Sequence, residues 1–336
     1  MTAPEHGDTA RGASQDGSGK RSDMEMSRPS IEDFQPRSFE EAQARLTRLD
    51  PSFARLWSAH VSYLLSRPQL DTRTRLLILV GQYTLTGRTP QLEEAIEVAL
   101  GKGVEPFEVL EVILQCYVYT GQWQVIAATE VFERVVAASP GGAGAVAPPA
   151  ENPPERDLAA ERGSWSPTDR DDPRLERFLE RYGWQGISTG LRLRPGHHIN
   201  LLDTLDALDP GFLQNWLDSV YLGMYSRRRL DDRTRILCVV GDTLAVGEGH
   251  QSRRHMRSAL HAGATPRELL EVIFQTTAIF GHPYLIPMAL DDLVLLADDE
   301  GRLAELVDPD RIDGIRRIAQ ARTSRRGGIQ EIGTVV

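Results

Sequence analysis

His255 is the side chain in this sequence best suited to move a proton, because imidazole titrates near neutrality. Asp242 lies a little upstream, inside the apolar run from Ile236 to Leu244. A carboxylate buried there is costly unless it is paired or faces a cavity with a raised pKa, so Asp242 is a second acid/base candidate. Glu248 and His250 stand at the start of the segment that carries His255. A carboxylate at a helix start is stabilised by the helix dipole, so Glu248 has a capping role to weigh against an assisting role in catalysis. His250, His282, Tyr221 and Tyr225 are candidates to contact a substrate, the tyrosines by donating to an oxygen, with core packing the plainer role for both. Glu271 completes the candidate list. It precedes Gln275 by four positions, as Glu111 precedes Gln115, which sets each pair on one helix face. Both halves of the chain keep that pair, so a structural bond is expected: Glu111 to Arg73 or Arg75, and Glu271 to Arg233 or Arg235.

A metal site is not expected. His197-His198 and Asp291-Asp292 are adjacent residues that point apart on a helix, and no His-x-His or His-x3-His spacing occurs. The two cysteines, Cys116 and Cys238, fall inside apolar helical patterns, as reduced thiols of a cytoplasmic protein would. The formal net charge of −10 argues against a nucleic-acid partner. No apolar run approaches membrane-spanning length, and the polar first thirty residues lack the apolar stretch of a signal peptide.

The elements that must position these groups read as helices. Phe53, Leu56, Trp57, His60, Val61 and Leu64 follow helical spacing, and Thr72 to Leu85 is apolar on every side, as in a fully buried helix. Thr89-Pro90 reads as an N-cap followed by proline, and Thr265-Pro266-Arg267-Glu268 as a capping box. Gly103 and Gly263 stand where a left-handed residue would end a helix.

These elements occur twice. Leu70-Asp71-Thr72-Arg73-Thr74-Arg75 matches Leu230-Asp231-Asp232-Arg233-Thr234-Arg235, and Glu111-Val112-Ile113-Leu114-Gln115 matches Glu271-Val272-Ile273-Phe274-Gln275, both displaced by 160 positions. Gly81, Gly87, Gly103, Pro106, Glu108 and Gly121 keep the same displacement. Upstream, Asp50-Pro51-x-Phe53 matches Asp209-Pro210-x-Phe212 with a slip of one residue. About twenty identities at one displacement mark an internal repeat. The expected layout is a tail over 1–30, a first domain over 31–138, a Pro/Gly/Ala-rich linker over 139–169, a second domain over 170–300, and a helix and tail over 301–336.

The string from Leu230 to Arg235, a buried helix, then His255-Met256-Arg257-Ser258-Ala259-Leu260, Gly263-Ala264-Thr265-Pro266, Glu268, Glu271 and Gly281-x-Pro283 resembles the carboxymuconolactone decarboxylase family. That family includes the alkylhydroperoxidase D-like proteins. The resemblance implies an all-α fold, here as two tandem domains, and assembly into a homo-oligomer, a dimer or trimer of this two-domain chain. The peroxidase branch carries Cys-x-x-Cys four residues before a histidine, with an upstream glutamate. The matching positions here are Glu248, Gln251, His255 and Ile236, and in the first half Arg88, Gln91, Ala95 and Leu76, so dithiol chemistry is disfavoured. The decarboxylase branch needs no cofactor. The expectation is therefore a cofactor-free acid/base enzyme, a decarboxylase, lyase or isomerase/cyclase, acting on a carboxylated lactone, β-keto acid or polyketide-like molecule in secondary metabolism. His255 would act with Asp242 or Glu248, and the first half would supply walls to a shared pocket. The alternative is a non-catalytic binding or assembly protein on the same scaffold. The halves differ at Ala95 against His255, Gln82 against Asp242, and Pro90 against His250, which points chemistry to the second half.

Overall fold

A computed structural model describes residues 33–140, 157–227, 229–281, 283 and 285–332. Every regular element among them is a helix, and the fold is all-α. The first half contributes α1 (Pro36–Leu49), α2 (Pro51–Leu65), α3 (Thr72–Thr86), α4 (Thr89–Gly101), α5 (Pro106–Gln115), α6 (Tyr117–Thr120) and α7 (Gln122–Ala138). Four short helices follow: α8 (Leu158–Ser164), α9 (Pro167–Arg170), α10 (Leu175–Tyr182) and α11 (Trp184–Leu193). The second half continues with α12 (His198–Leu208), α13 (Pro210–Trp216), a π-helix (Leu217–Tyr225), α14 (Asp232–Ala245), α15 (Gly249–His261), α16 (Pro266–Phe280), α17 (Leu285–Asp299) and α18 (Ile312–Ile332). The expected tail over 1–30 and most of the expected linker lie outside the described residues. The end of that linker is helical (α8, α9), held by Trp165, which is buried and donates its indole N–H to Ser188 at 3.1 Å. No helix among the described residues is long and apolar enough to cross a membrane.

Local chemistry accounts for the helix ends. Asp50 and Asp209 cap α2 and α13 by accepting from the backbone N–H of Phe53 at 3.0 Å and of Phe212 at 2.9 Å, and a proline follows each. Asp71 and Asp231 cap α3 and α14 in the same way, accepting from Thr74 and Thr234. Thr265 and Glu268 form the capping box of α16. Thr89 does not cap α4 as its sequence suggests. Arg88 occupies the cap position without a side-chain bond, and Thr89 is already helical. Gly103 and Gly263 adopt φ of +82° and +93°, a region side chains avoid, and so end α4 and α15.

α3 and α14 cross at the centre of the molecule, each buried on all sides. Their contact needs glycine. A Cβ on Gly81 would stand 2.3 Å from Oδ1 of Asp242, and one on Gly241 would stand 2.6 Å from Ile78. Gln82 ties the crossing, donating to the Gly241 carbonyl at 3.1 Å and to Thr276 at 2.8 Å.

Two ion-pair clusters flank this seam, and both exchange partners between halves. The fully buried Arg75 on α3 pairs with Glu271 on α16 at 2.9 Å and donates to Gln275 at 3.3 Å, while Arg67 pairs with the other Glu271 oxygen at 2.8 Å. Reciprocally, Arg235 on α14 pairs with Glu111 on α5 at 3.3 Å and donates to Gln115 at 3.3 Å, while Arg227 joins Glu111 at 2.8 Å. The expected Glu-to-Arg bond is therefore present, but it crosses to the other half rather than closing within one. The reason is spatial: α16 also packs on α2 and α3 of the first half, while the neighbouring Arg73 and Arg233 take Glu108 and Glu268 within their own halves. Burial lowers the Arg75 pKa, with Glu271 opposing that effect, and raises that of Glu111, with Arg235 and Arg227 opposing.

Removing one partner of a buried pair strands the other charge. Glu271→Ala is expected to lower unfolding stability by about 3–5 kcal/mol, measured in urea, and Glu111→Ala by a similar amount. A loss under about 1 kcal/mol in both would show that the exchanged pairs do not hold the halves together.

Candidate functional site

A narrow cleft opens where both halves meet at the second-half end of the seam. Val118 and Tyr119 enter it from α6, Leu193 and Arg194 from the end of α11, and Trp216, Val220, Tyr221 and Tyr225 from α13 and the π-helix. Ile236 of α14 and His255 of α15 close it. With its open mouth the space is about 350 Å³, but the part wide enough for a water-sized sphere is only about 30 Å³. That is room for a water or two. A substrate of ordinary size therefore requires the aromatic walls to part.

The π-helix explains the slip in the repeat. In the first half α2 runs regularly to its end, where Ser66 N–H donates to the Ser62 carbonyl, four residues back. In the second half Ser226 N–H donates to Tyr221, five residues back, at 2.9 Å. One extra residue lies between Trp216 and Leu230 compared with Trp57 and Leu70, and the helix absorbs it by widening its turns. Such widened turns often stand at functional sites. Here the widened segment presents Tyr221 and Tyr225 to the cleft.

A chain of polar groups runs across the cleft. His255 Nε2 is 3.2 Å from the Tyr119 hydroxyl, which is 3.3 Å from the Tyr225 hydroxyl. The Tyr119 and His255 rings meet edge to face at 5.7 Å. His255 is 5% exposed, and its Nδ1 is buried without a hydrogen-bond partner among the described residues. Burial, then Arg194 and Arg254, push its pKa down to about 3. The expectation of a histidine titrating near neutrality is thus corrected: His255 is neutral, because it is buried beside two arginines. Burial raises both Tyr119 and Tyr225 well above the ordinary phenol value, so both stay protonated. His198 sits behind Tyr221, its ring edge-on at 4.7 Å, buried with both ring nitrogens unpartnered among the described residues. Burial and then Arg194 hold it down to about 3.

The other candidates are placed elsewhere. Asp242 shares α14 with Ile236 but faces the α3 seam, where its Oδ2 is 3.9 Å from Cys116 Sγ and its Oδ1 has no partner among the described residues. Six positions along a helix turn a side chain well away from the first. Burial raises the Asp242 pKa far above the usual carboxylate range, and raises both cysteine thiols. Glu248 is exposed at the cap position of α15 without a side-chain cap bond, and His250 is exposed one turn before the site. Glu271 is committed to Arg67 and Arg75. None of these four lines the cleft. His282 lies outside the described residues. Sequence reading missed Tyr119 and Arg194. Each differs between the halves, as Tyr119 against Ile279 and Arg194 against Gln35 in the upstream register, and that difference was the available signal.

This helical scaffold can be placed among known proteins. Residues 210–285, from α13 to the start of α17, match the model of the carboxymuconolactone decarboxylase family. An uncharacterized 15.0 kDa protein in the nqo9-nqo10 intergenic region of Paracoccus denitrificans is 35% identical over 81 residues, which are 24% of this chain and 60% of that protein. The chain thus spans somewhat less than two thirds of this relative's length.

The neutral histidines have a measurable consequence. An unfolded histidine takes a proton near pH 6.5, whereas His255 and His198 resist protonation down to about 3. Their contribution to stability is therefore complete above about pH 6.5 and is lost as pH falls from there toward 3. His255→Gln is expected to lose about 2 kcal/mol less than the wild type between pH 7 and pH 5 in denaturant titrations. Identical pH profiles for the two proteins would contradict a buried neutral His255.

Proposed function

We propose that this chain is a cofactor-independent acid/base enzyme, of decarboxylase, lyase or isomerase/cyclase type, built from two tandem alkylhydroperoxidase D-like domains. The observation that carries the reading is the His255–Tyr119–Tyr225 chain inside a cleft shared by both halves, with His255 and Tyr225 inside the segment that matches the carboxymuconolactone decarboxylase family. Substrates of the proposed class are carboxylated lactones, β-keto acids or polyketide-like molecules. A neutral imidazole is a base, so His255 takes the proton from carbon next to a carbonyl. Protonated Tyr119 and Tyr225 donate hydrogen bonds to the oxygen on which enolate charge develops. In decarboxylation the C–C bond to the carboxylate breaks, CO₂ leaves, its bonding pair becomes the enolate, and Tyr119 or Tyr225 gives its proton to carbon and is reprotonated from solvent. Asp242, a buried neutral acid one layer behind, and the exposed Glu248 are outside this chain. Thiol peroxidase chemistry is disfavoured by the high thiol pKa values and by the burial of both cysteines.

The protein is proposed to act in the cytoplasm, where unpaired cysteines persist. Self-association is supported by apolar side chains left exposed in both halves, Leu49, Phe53 and Leu56 in one and Leu208 and Phe212 in the other. A second reading, a binding or assembly protein without turnover, is favoured by the scant open space in the cleft.

Turnover on a panel of lactone and β-keto acids decides between them. His255→Gln and His255→Ala are expected to lower kcat at least 100-fold, with Tyr119→Phe intermediate. No turnover by the wild type would favour the non-catalytic reading, and full rate in both His255 variants would remove His255 from the reaction.

A further inference from the structure

We infer that Arg194 is the anion seat of this cleft: the ligand enters as a carboxylate, its oxygens held by the Arg194 guanidinium beside Tyr221, with its reacting carbon toward His255. The inference rests on the cleft being a substrate site and adds which side chain holds the substrate's carboxylate.

Arg194 is placed deliberately by the chain. It follows the last residue of α11, and its N–H closes that helix on the Gly190 carbonyl at 2.8 Å. Pro195 cannot continue the helix. Gly196, with φ of +74°, turns the chain and donates its N–H to the buried Asp169 at 2.7 Å. The turn is therefore anchored and the arginine is aimed inward, where it lines the cleft with Tyr119, Tyr221, Tyr225 and His255.

The Arg194 guanidinium is half-buried and hydrogen-bonded to Tyr221; burial lowers its pKa, but the pull of the phenols outweighs burial and raises it. Its electrostatic neighbours are phenols, Tyr221 first and then Tyr119 and Tyr225, and among the described residues no carboxylate pairs with it. Tyr119 and Tyr225 are held protonated by burial, so they cannot serve as counter-ions. The buried arginines of the seam show the contrast: Arg75 has Glu271, and Arg235 has Glu111. A half-buried cation bonded only to a phenol keeps capacity for an anion, and the guanidinium fork matches a carboxylate oxygen for oxygen.

The first half supplies an internal control. In the register Asp50 to Asp209, Gln35-Pro36 matches Arg194-Pro195. Gln35 is neutral, buried, and satisfied by the Tyr83 hydroxyl. Its half also carries Ala95, fully buried, in place of His255. The cation and the base thus occur together at one end of the molecule and are absent together from the equivalent positions of the other. They also interact. Arg194 is one of the two charges that depress His255. An anion seated on Arg194 offsets that field and makes the imidazole more basic as the substrate arrives.

Calorimetric titration of the full chain with propionate and benzoate, against the uncharged amides propionamide and benzamide, tests the seat. The carboxylates are expected to bind at least tenfold more tightly than their amides. Arg194→Gln, which installs the first-half residue, is expected to reduce that preference to within about twofold, and Arg194→Lys to retain part of it. Equal binding of acid and amide by the wild type overturns the inference without recourse to any variant, as does a preference that survives in a folded Arg194→Gln protein. His255→Gln separates this inference from the proposed reaction. Carboxylate preference retained in that variant, with no turnover in the wild type, leaves the seat in place and removes the reaction. Turnover in the wild type without carboxylate preference does the reverse.

Discussion

Glu271 and Glu111 each reach across the molecule to an arginine that has no exposure to water, and that exchange organises everything else. Arg75 and Arg235 sit on the two central helices, α3 and α14, which cross through Gly81 and Gly241. A buried cation needs a partner, and each partner belongs to the opposite half. The two halves therefore cannot separate without stranding charges, and α5 and α16 are drawn in beside the seam with them. α6 follows α5 directly, so the same contact brings Tyr119 of the first half up to His255 of the second.

The two ends of this seam differ. At one end Gln35 meets Tyr83 and Ala95 fills its place, a neutral and satisfied arrangement. At the other, Arg194, Tyr119, Tyr221, Tyr225 and His255 crowd a small cleft. One inserted residue widens the helix before α14 and presents two tyrosines there. Burial beside two arginines keeps His255 neutral, and burial keeps the phenols as donors. Arg194, bonded to a phenol and, among the described residues, to no carboxylate, is the cation of this cleft.

Much of this was written in the linear sequence. Helical spacing, the capping box at Thr265, and the repeated Glu-x-x-x-Gln pair specify helices locally, because caps and periodicity depend only on near neighbours. The family pattern carried His255, and the slip of one residue before Leu230 was visible as a change of register. What the sequence could not determine was which groups meet across the seam. Whether Glu111 bonds its own arginine or its counterpart's, whether Asp242 faces the cleft or α3, and whether Tyr119 and Arg194 reach His255 depend on how α3 and α14 cross. That crossing is set by close glycine contacts and by charges distant in sequence, so only the tertiary structure decides it. The pKa of His255 follows for the same reason: it reflects the water excluded by residues from both halves, not the residues beside it in the chain.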